Sequence, residues 1–279
     1  MPTSLSFEEH GEALGDAWSV LRDNAARAGL DAAVPSCPGW RVLDLVSYQG
    51  MVHRWATGLL RGHRVDERTD EILDEGLRAP DPLGWFDEGA RDLLSALALA
   101  PDDPEARFFL PDAPAGKAAW ARRQCHETTI HAVDAMAAAL GRVPPAAQTW
   151  LRPGLAHDGV DELLCGFVAR SRVRLRSDRP YAVVVRASDT GGVWTMRVSG
   201  DPVVTTVGDR HTEVGEEVDG VARVARVARV TRVTRVTRVV EIAGTAAQLY
   251  LGLWNRGDEL SVSDPDFLDE WRRDVTVGW

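Results

Sequence analysis

The sequence predicts a multi-domain chain: an all-α four-helix bundle over residues 1–150, followed by a smaller α+β domain over residues 151–279. Three observations carry this. Within the first 150 residues, four stretches place apolar residues at helical spacing between Pro and Gly punctuation. After Pro153 the pattern changes to β-branched runs bounded by turn residues. A length of 279 residues is enough for two ordinary cores.

The first helix is announced by a capping box, Ser6-Phe7-Glu8-Glu9, and Phe7, His10, Leu14, Ala17, Trp18, Leu21 and Ala25 follow at helical spacing until Gly29 stops it. This predicts a helix over residues 7–28. Val34-Pro35-Ser36-Cys37-Pro38-Gly39-Trp40 excludes regular structure, and Trp40 is expected to plug one end of a core. A second helix spans Val42 to Leu60, where Leu45, Tyr48, Val52, Trp55 and Leu59 share an apolar face. His53, five positions from Tyr48, reads as a solvated or capping histidine.

Residues 62–79 are charged and poorly periodic, a long crossover with one short helix from Glu71 to Leu77. Asp81-Pro82 caps and opens a third helix marked by Leu83, Phe86, Ala90, Leu93, Leu94 and Leu97. The fourth helix covers about residues 116–140 and ends at Gly141 before Pro144-Pro145.

In the second domain, Asp158 to Val168 reads as helical, and Tyr181–Ala187 and Val193–Ser199 form a hairpin across Ser188-Asp189-Thr190-Gly191-Gly192. Further strands are expected at Val203–Val207 and Val239–Ala243, then a helix from Thr245 to Arg256. Residues 221–238 are Val-Ala-Arg three times and Val-Thr-Arg three times, a period that gathers no face in a helix or a strand. Six arginines suit an anionic partner, while a tandem-repeat expansion that lengthened a loop explains the tract without any function.

Charge and cysteines exclude several classes. A net charge of −10 opposes general binding to nucleic acid or an anionic membrane, and no run of apolar residues is long enough to span a bilayer. Met1 to His10 lacks a signal-peptide pattern, so a cytoplasmic location is expected. Cys37, Cys125 and Cys165 are too scattered for a disulfide framework or a cysteine zinc site and read as reduced, buried thiols.

The chemical signal lies on the fourth helix, in Arg122-Arg123-Gln124-Cys125-His126-Glu127-Thr128-Thr129-Ile130-His131-Ala132-Val133-Asp134. Glu127 and His131 are i,i+4 neighbours and Asp134 follows on the same face. The column suits a divalent metal, with Asp134 fixing the His131 tautomer from behind. It equally suits an amphipathic helix whose buried histidine is hydrogen-bonded to a carboxylate. His126 is about 140° from His131 around the axis and faces elsewhere. A four-helix bundle builds metal sites from facing helices, so Tyr48 or its neighbours could meet Glu127 and His131.

Taken together, Val34-Pro35-Ser36-Cys37-Pro38-Gly39-Trp40, Asp44-Leu45-Val46 with His53-Arg54-Trp55, and Arg123-Gln124-x-His126-Glu127-Thr128-x-x-His131-x-x-Asp134-Ala135 resemble the mycothiol-dependent maleylpyruvate isomerase family, one of the DinB-like metalloenzymes. Asp158 to Leu163 and Leu251-Gly252-Leu253-Trp254-Asn255-Arg256 look like motifs of the family's C-terminal domain. The resemblance implies a bundle that holds a divalent metal, usually zinc, through a second-helix histidine and the Glu127/His131 pair. The chain writes Asp44-Leu45-Val46-Ser47-Tyr48-Gln49-Gly50 where the family places that histidine, so Tyr48 stands in its position.

By the same resemblance, Arg256 would face the site and bind a substrate carboxylate, Tyr48 would serve as weak ligand or general acid, and mycothiol would be the thiol cosubstrate. The expected partners are a small carboxylate-bearing substrate and a low-molecular-weight thiol, with the chain a monomer or homodimer. The expected activity is isomerisation or thiol transfer. A degenerate, non-catalytic small-molecule-binding or regulatory module is the alternative.

Overall fold

The computed structural model describes residues 3–63, 68–104, 108–110, 113–114, 116–208 and 238–277. These divide into two compact units, one within residues 2–149 and one running from Trp150. The repeat at residues 221–237 lies outside the described residues.

The first unit contains α1 (Phe7–Ala28), α2 (Val42–Leu60), a short α3 (Thr69–Leu77), α4 (Pro82–Leu99) and α5 (Lys117–Leu140). The four long helices and the short one in the crossover are those the spacing predicts. Their ends follow local chemistry. The Ser6 hydroxyl accepts from the Glu9 amide while the Glu9 carboxylate accepts from the Ser6 amide, closing the capping box. Asp81 accepts from the Gly84 amide with Pro82 opening α4, and Gly141 ends α5 in the left-handed region at φ 69°.

Helix α1 packs along α5, α2 packs along α4, and α2 also meets α3 and α5. The α2–α4 approach depends on glycine: the Trp85 ring lies where a Cβ on Gly50 or Gly76 would be. The Arg54 guanidinium stacks 3.6 Å from the Trp85 ring centroid and donates to the Trp85 and Gly50 carbonyls.

One expectation for α5 is overturned. The helix is not amphipathic, because every residue from Ala119 to Ala135 is buried, including Arg122, Arg123, Gln124, His126, Glu127, His131 and Asp134. Helix spacing alone does not reveal this, because a helix packed all round needs no polar stripe.

In the second unit, α6 (Pro153–Asp161) runs into a π-helical turn (Glu162–Phe167). It is followed by β1 (Tyr181–Ala187), β2 (Val193–Val198), β3 (Val204–Gly208), β4 (Val239–Gly244), α7 (Ala246–Leu253), β5 (Ser261–Val262) and α8 (Asp266–Asp274). The sheet order is β3-β2-β1-β4-β5. β1 and β2 form the expected antiparallel hairpin, with Val185 opposite Trp194, and β4 joins β1 in parallel, with Val185 opposite Ile242.

Under the sheet, Trp194 donates through its indole nitrogen to Asp161, and Trp271 donates to the Leu253 carbonyl. The sequence reading stops short of β5 and α8 and extends α7 too far. Asn255 takes φ 60° just past the helix, which breaks it before Arg256. No helix among the described residues is long and apolar enough to cross a membrane.

Replacing Gly50 by Ala is expected to destabilise the first unit by about 1–3 kcal/mol, because Trp85 must leave its slot. The loss should appear as a lower urea midpoint.

Candidate functional site

The sequence-predicted residues Tyr48, Glu127 and His131 come together where α2 faces α5. Glu127 stands one turn before His131 on α5 and directs Oε1 at both partners. That oxygen is 3.4 Å from His131 Nε2 and 3.5 Å from the Tyr48 hydroxyl, which donates to it. The second carboxylate oxygen accepts from Arg123 Nη2 at 2.7 Å, an i,i+4 pair whose guanidinium side chain is fully buried. Asp134 holds the other side of the imidazole, with His131 Nδ1 2.9 Å from Asp134 Oδ2. The column anticipated on one face of α5 therefore exists, and Asp134 orients the ring so that Nε2 points to Glu127, with the Tyr48 ring edge-on at 5.3 Å between centroids.

Neighbouring charges and hydrogen bonds outweigh burial in setting the charge states. Desolvation opposes ionisation of Glu127, but the hydrogen bond from His131 and the Arg123 charge outweigh it and hold the carboxylate at about 2. Desolvation likewise opposes a charged His131, and Asp134 and Glu127 outweigh it to raise the imidazole to about 9. Both shifts favour an imidazolium beside an ionised Glu127.

Loop 34–40 closes one side. Trp40 does not plug a core end as expected. It is half-buried and lies nearly parallel to the His131 ring, at 14° and 6.2 Å between centroids, and against Tyr48 at 5.2 Å. Ser36 Oγ donates to Asp134 Oδ1 at 2.6 Å, and Cys37 Sγ donates to Asp134 Oδ2 at 3.4 Å. Cys37 and Cys165 are half-buried and only Cys125 is fully buried, which corrects the reading of all three as interior thiols.

His53 is also corrected. It is fully buried, with Nε2 2.9 Å from both Gln49 Nε2 and Thr128 Oγ1, and it stacks on Phe86. Burial first, and the Arg54 charge second, press its pKa down to about 3, so the ring stays neutral. Counting five residues from Tyr48 gave the right direction but assumed that the far side of α2 met water, whereas α4 and α5 enclose it. His126 does face away from His131, and its ring meets His10 edge-on. Arg256 lies in the second unit just beyond α7, with Nη1 donating to the Trp254 carbonyl at 2.8 Å.

The set fits a divalent metal by spacing. Two ligands bound at about 2.1 Å on a tetrahedral ion stand roughly 3.4 Å apart, the separation that Glu127 Oε1 keeps from His131 Nε2. Its chemistry is weaker than a His-Glu-His set. A phenol must ionise before it ligates well, and the His131 imidazolium must release its proton.

Carboxylate, imidazole and phenol brought from distant helices onto one interior point, with an α+β unit following, define a bundle protein with a built polar site in its first half. Residues 12–136 match the model of the mycothiol maleylpyruvate isomerase N-terminal domain. The resemblance drawn from the motifs is borne out.

The crystal structure of a mycothiol-dependent maleylpyruvate isomerase is similar over 94% of this chain and 96% of that one, with TM-score 0.60 and 14% identity. A mutant of that isomerase gives 0.59 and 13% over the same shares. At such identity the likeness is one of fold, and it spans both units. No curated protein sequence matches the chain.

The raised His131 pKa sets a pH dependence. Its folded value lies above its unfolded value of about 6.5, so this contribution to stability is complete below pH 6.5 and lost as pH rises through 9. In metal-free protein, the melting temperature is expected to fall between pH 7 and 9.5, and the fall should shrink in His131→Gln.

Proposed function

We propose that the chain is a metal-assisted, thiol-dependent isomerase or thiol transferase of the maleylpyruvate isomerase type, acting on a small substrate that bears a carboxylate. The observation that carries this reading is the convergence of Tyr48, Glu127 and His131 on one buried point. The family match of residues 12–136 supports it.

Glu127 and His131 would hold the ion, with Tyr48 as third ligand. A divalent cation there would act as a Lewis acid and lower the pKa of a bound thiol so that it reacts as thiolate. Mycothiol is the thiol that the family name implies.

The chain's own groups have separable tasks. Asp134 keeps the proton on His131 Nδ1, leaving Nε2 as a lone-pair donor once the imidazolium has lost its other proton. Arg123 neutralises Glu127 without occupying Oε1. The Tyr48 hydroxyl, when it is not a ligand, can give a proton to the enolate oxygen that forms when a thiolate adds to a conjugated carbonyl. It recovers that proton as the thiol leaves. Trp40 covers the ring pair against water.

A second reading, a non-catalytic binding or regulatory module, draws on the same residue that weakens the first. Tyr48 leaves a site that is already charge-balanced by His131 and Arg123 without a cation.

Metal analysis separates the two. Protein purified without chelator is expected to hold a substoichiometric first-row metal and to take up Co2+ with an affinity that rises as pH goes from 7 to 9, since His131 must deprotonate. Tyr48→His should tighten uptake by at least tenfold. Less than about a tenth of an equivalent in the parent, with no gain in Tyr48→His, would rule out the metal site.

A further inference from the structure

Asp134 touches two things that the chain keeps far apart. Its Oδ2 orients His131 from within α5, and its Oδ1 takes a 2.6 Å hydrogen bond from Ser36, which is 98 residues away. Cys37 adds a longer bond to Oδ2. Asp134 is fully buried, so this carboxylate is not solvated in place of its partners, and losing one of them costs more than a surface hydrogen bond would. The loop it holds is short and carries Trp40, whose ring lies against both His131 and Tyr48. One buried anion therefore fixes the ring that would bind metal and the loop that covers it.

We propose that Ser36 is a positioning residue that acts through Asp134, latching loop 34–40 so that Trp40 and His131 are held in register as a single unit. The loop's own backbone bonds, from Val34 N to the Trp40 carbonyl and from Trp40 N to the Cys37 carbonyl, close it on itself, and the Ser36 hydroxyl ties that closed loop to α5. Without the latch the closed loop loses its shortest tie to α5, Trp40 shifts over the ring pair, and Asp134 loses the bond that holds it square to His131 Nδ1. Loop movement and imidazole orientation are thereby linked. The link to metal affinity rests on the function proposed above, whereas the latch itself does not.

The test uses full-length protein with Ser36→Ala, Ser36→Thr and Asp134→Asn. Cys37 sits on the latch, so its alkylation by iodoacetamide, followed on the peptide that carries it, reports opening without any metal. Alkylation is expected to be at least ten times faster in Ser36→Ala and Asp134→Asn and to return to within about twofold of the parent in Ser36→Thr. Co2+ affinity is expected to fall about tenfold in Ser36→Ala, the lower end of what groups behind a ligand contribute, and Ser36→Thr should restore it.

If the parent takes up no Co2+, the proposed metal site fails and the coupling is read from the His131 ring resonances. These should shift in Ser36→Ala and recover in Ser36→Thr. Parental alkylation rates in Ser36→Ala would overturn the latch. So would faster alkylation that Thr does not reverse, since that is what a general loosening of the fold gives. Unchanged Co2+ affinity, or unchanged His131 resonances where no metal binds, would overturn the coupling to His131.

Discussion

The first half of this protein is organised around a carboxylate that is buried and cannot be left alone. Glu127 lies inside a helical bundle where an isolated charge would be expelled or neutralised. It stays ionised because Arg123 takes one oxygen and His131 and Tyr48 share the other. Each partner brings a requirement of its own. His131 needs Asp134 behind it, Asp134 needs Ser36 and Cys37, and the loop that supplies these two also places Trp40 over the ring pair. The polar interior of α5 is thus a chain of obligations that begins at a single charge.

That arrangement explains why α5 can be buried along its length while carrying so many polar side chains. A buried ion pair contributes little net stability, because desolvation offsets most of the attraction, but breaking one partner is costly. The network therefore constrains geometry more than it stabilises the fold. The bundle's cohesion comes instead from apolar packing of α1 on α5 and α2 on α4, helped by the glycine slots that admit Trp85.

Tyr48 stands where the family resemblance expects a histidine, and its phenol takes part in the polar cluster. The phenol donates to the carboxylate oxygen that His131 also faces and lays its ring beside Trp40. The metal-binding and the metal-free readings differ in whether a cation or the His131 proton stands beside Glu127. The same side chains serve either state.

The sequence by itself determined the long helices of the first unit and their ends, because caps and periodicity are local. The capping box at Ser6, the proline after Asp81 and the left-handed Gly141 each act within one turn. It also determined the Glu127, His131 and Asp134 column, which follows from 3.6 residues per turn, and the β1–β2 hairpin, which its turn residues announce.

Only the tertiary structure decided what lay beyond a single helix. His53 became interior because α4 and α5 close over it, Trp40 became a cover instead of a plug, and α5 lost its solvent face. The parallel pairing of β1 with β4 and the bond from Ser36 to Asp134 join residues with no local signal in common. Local geometry fixes which groups share a helix face, but what that face meets depends on contacts distant in the chain.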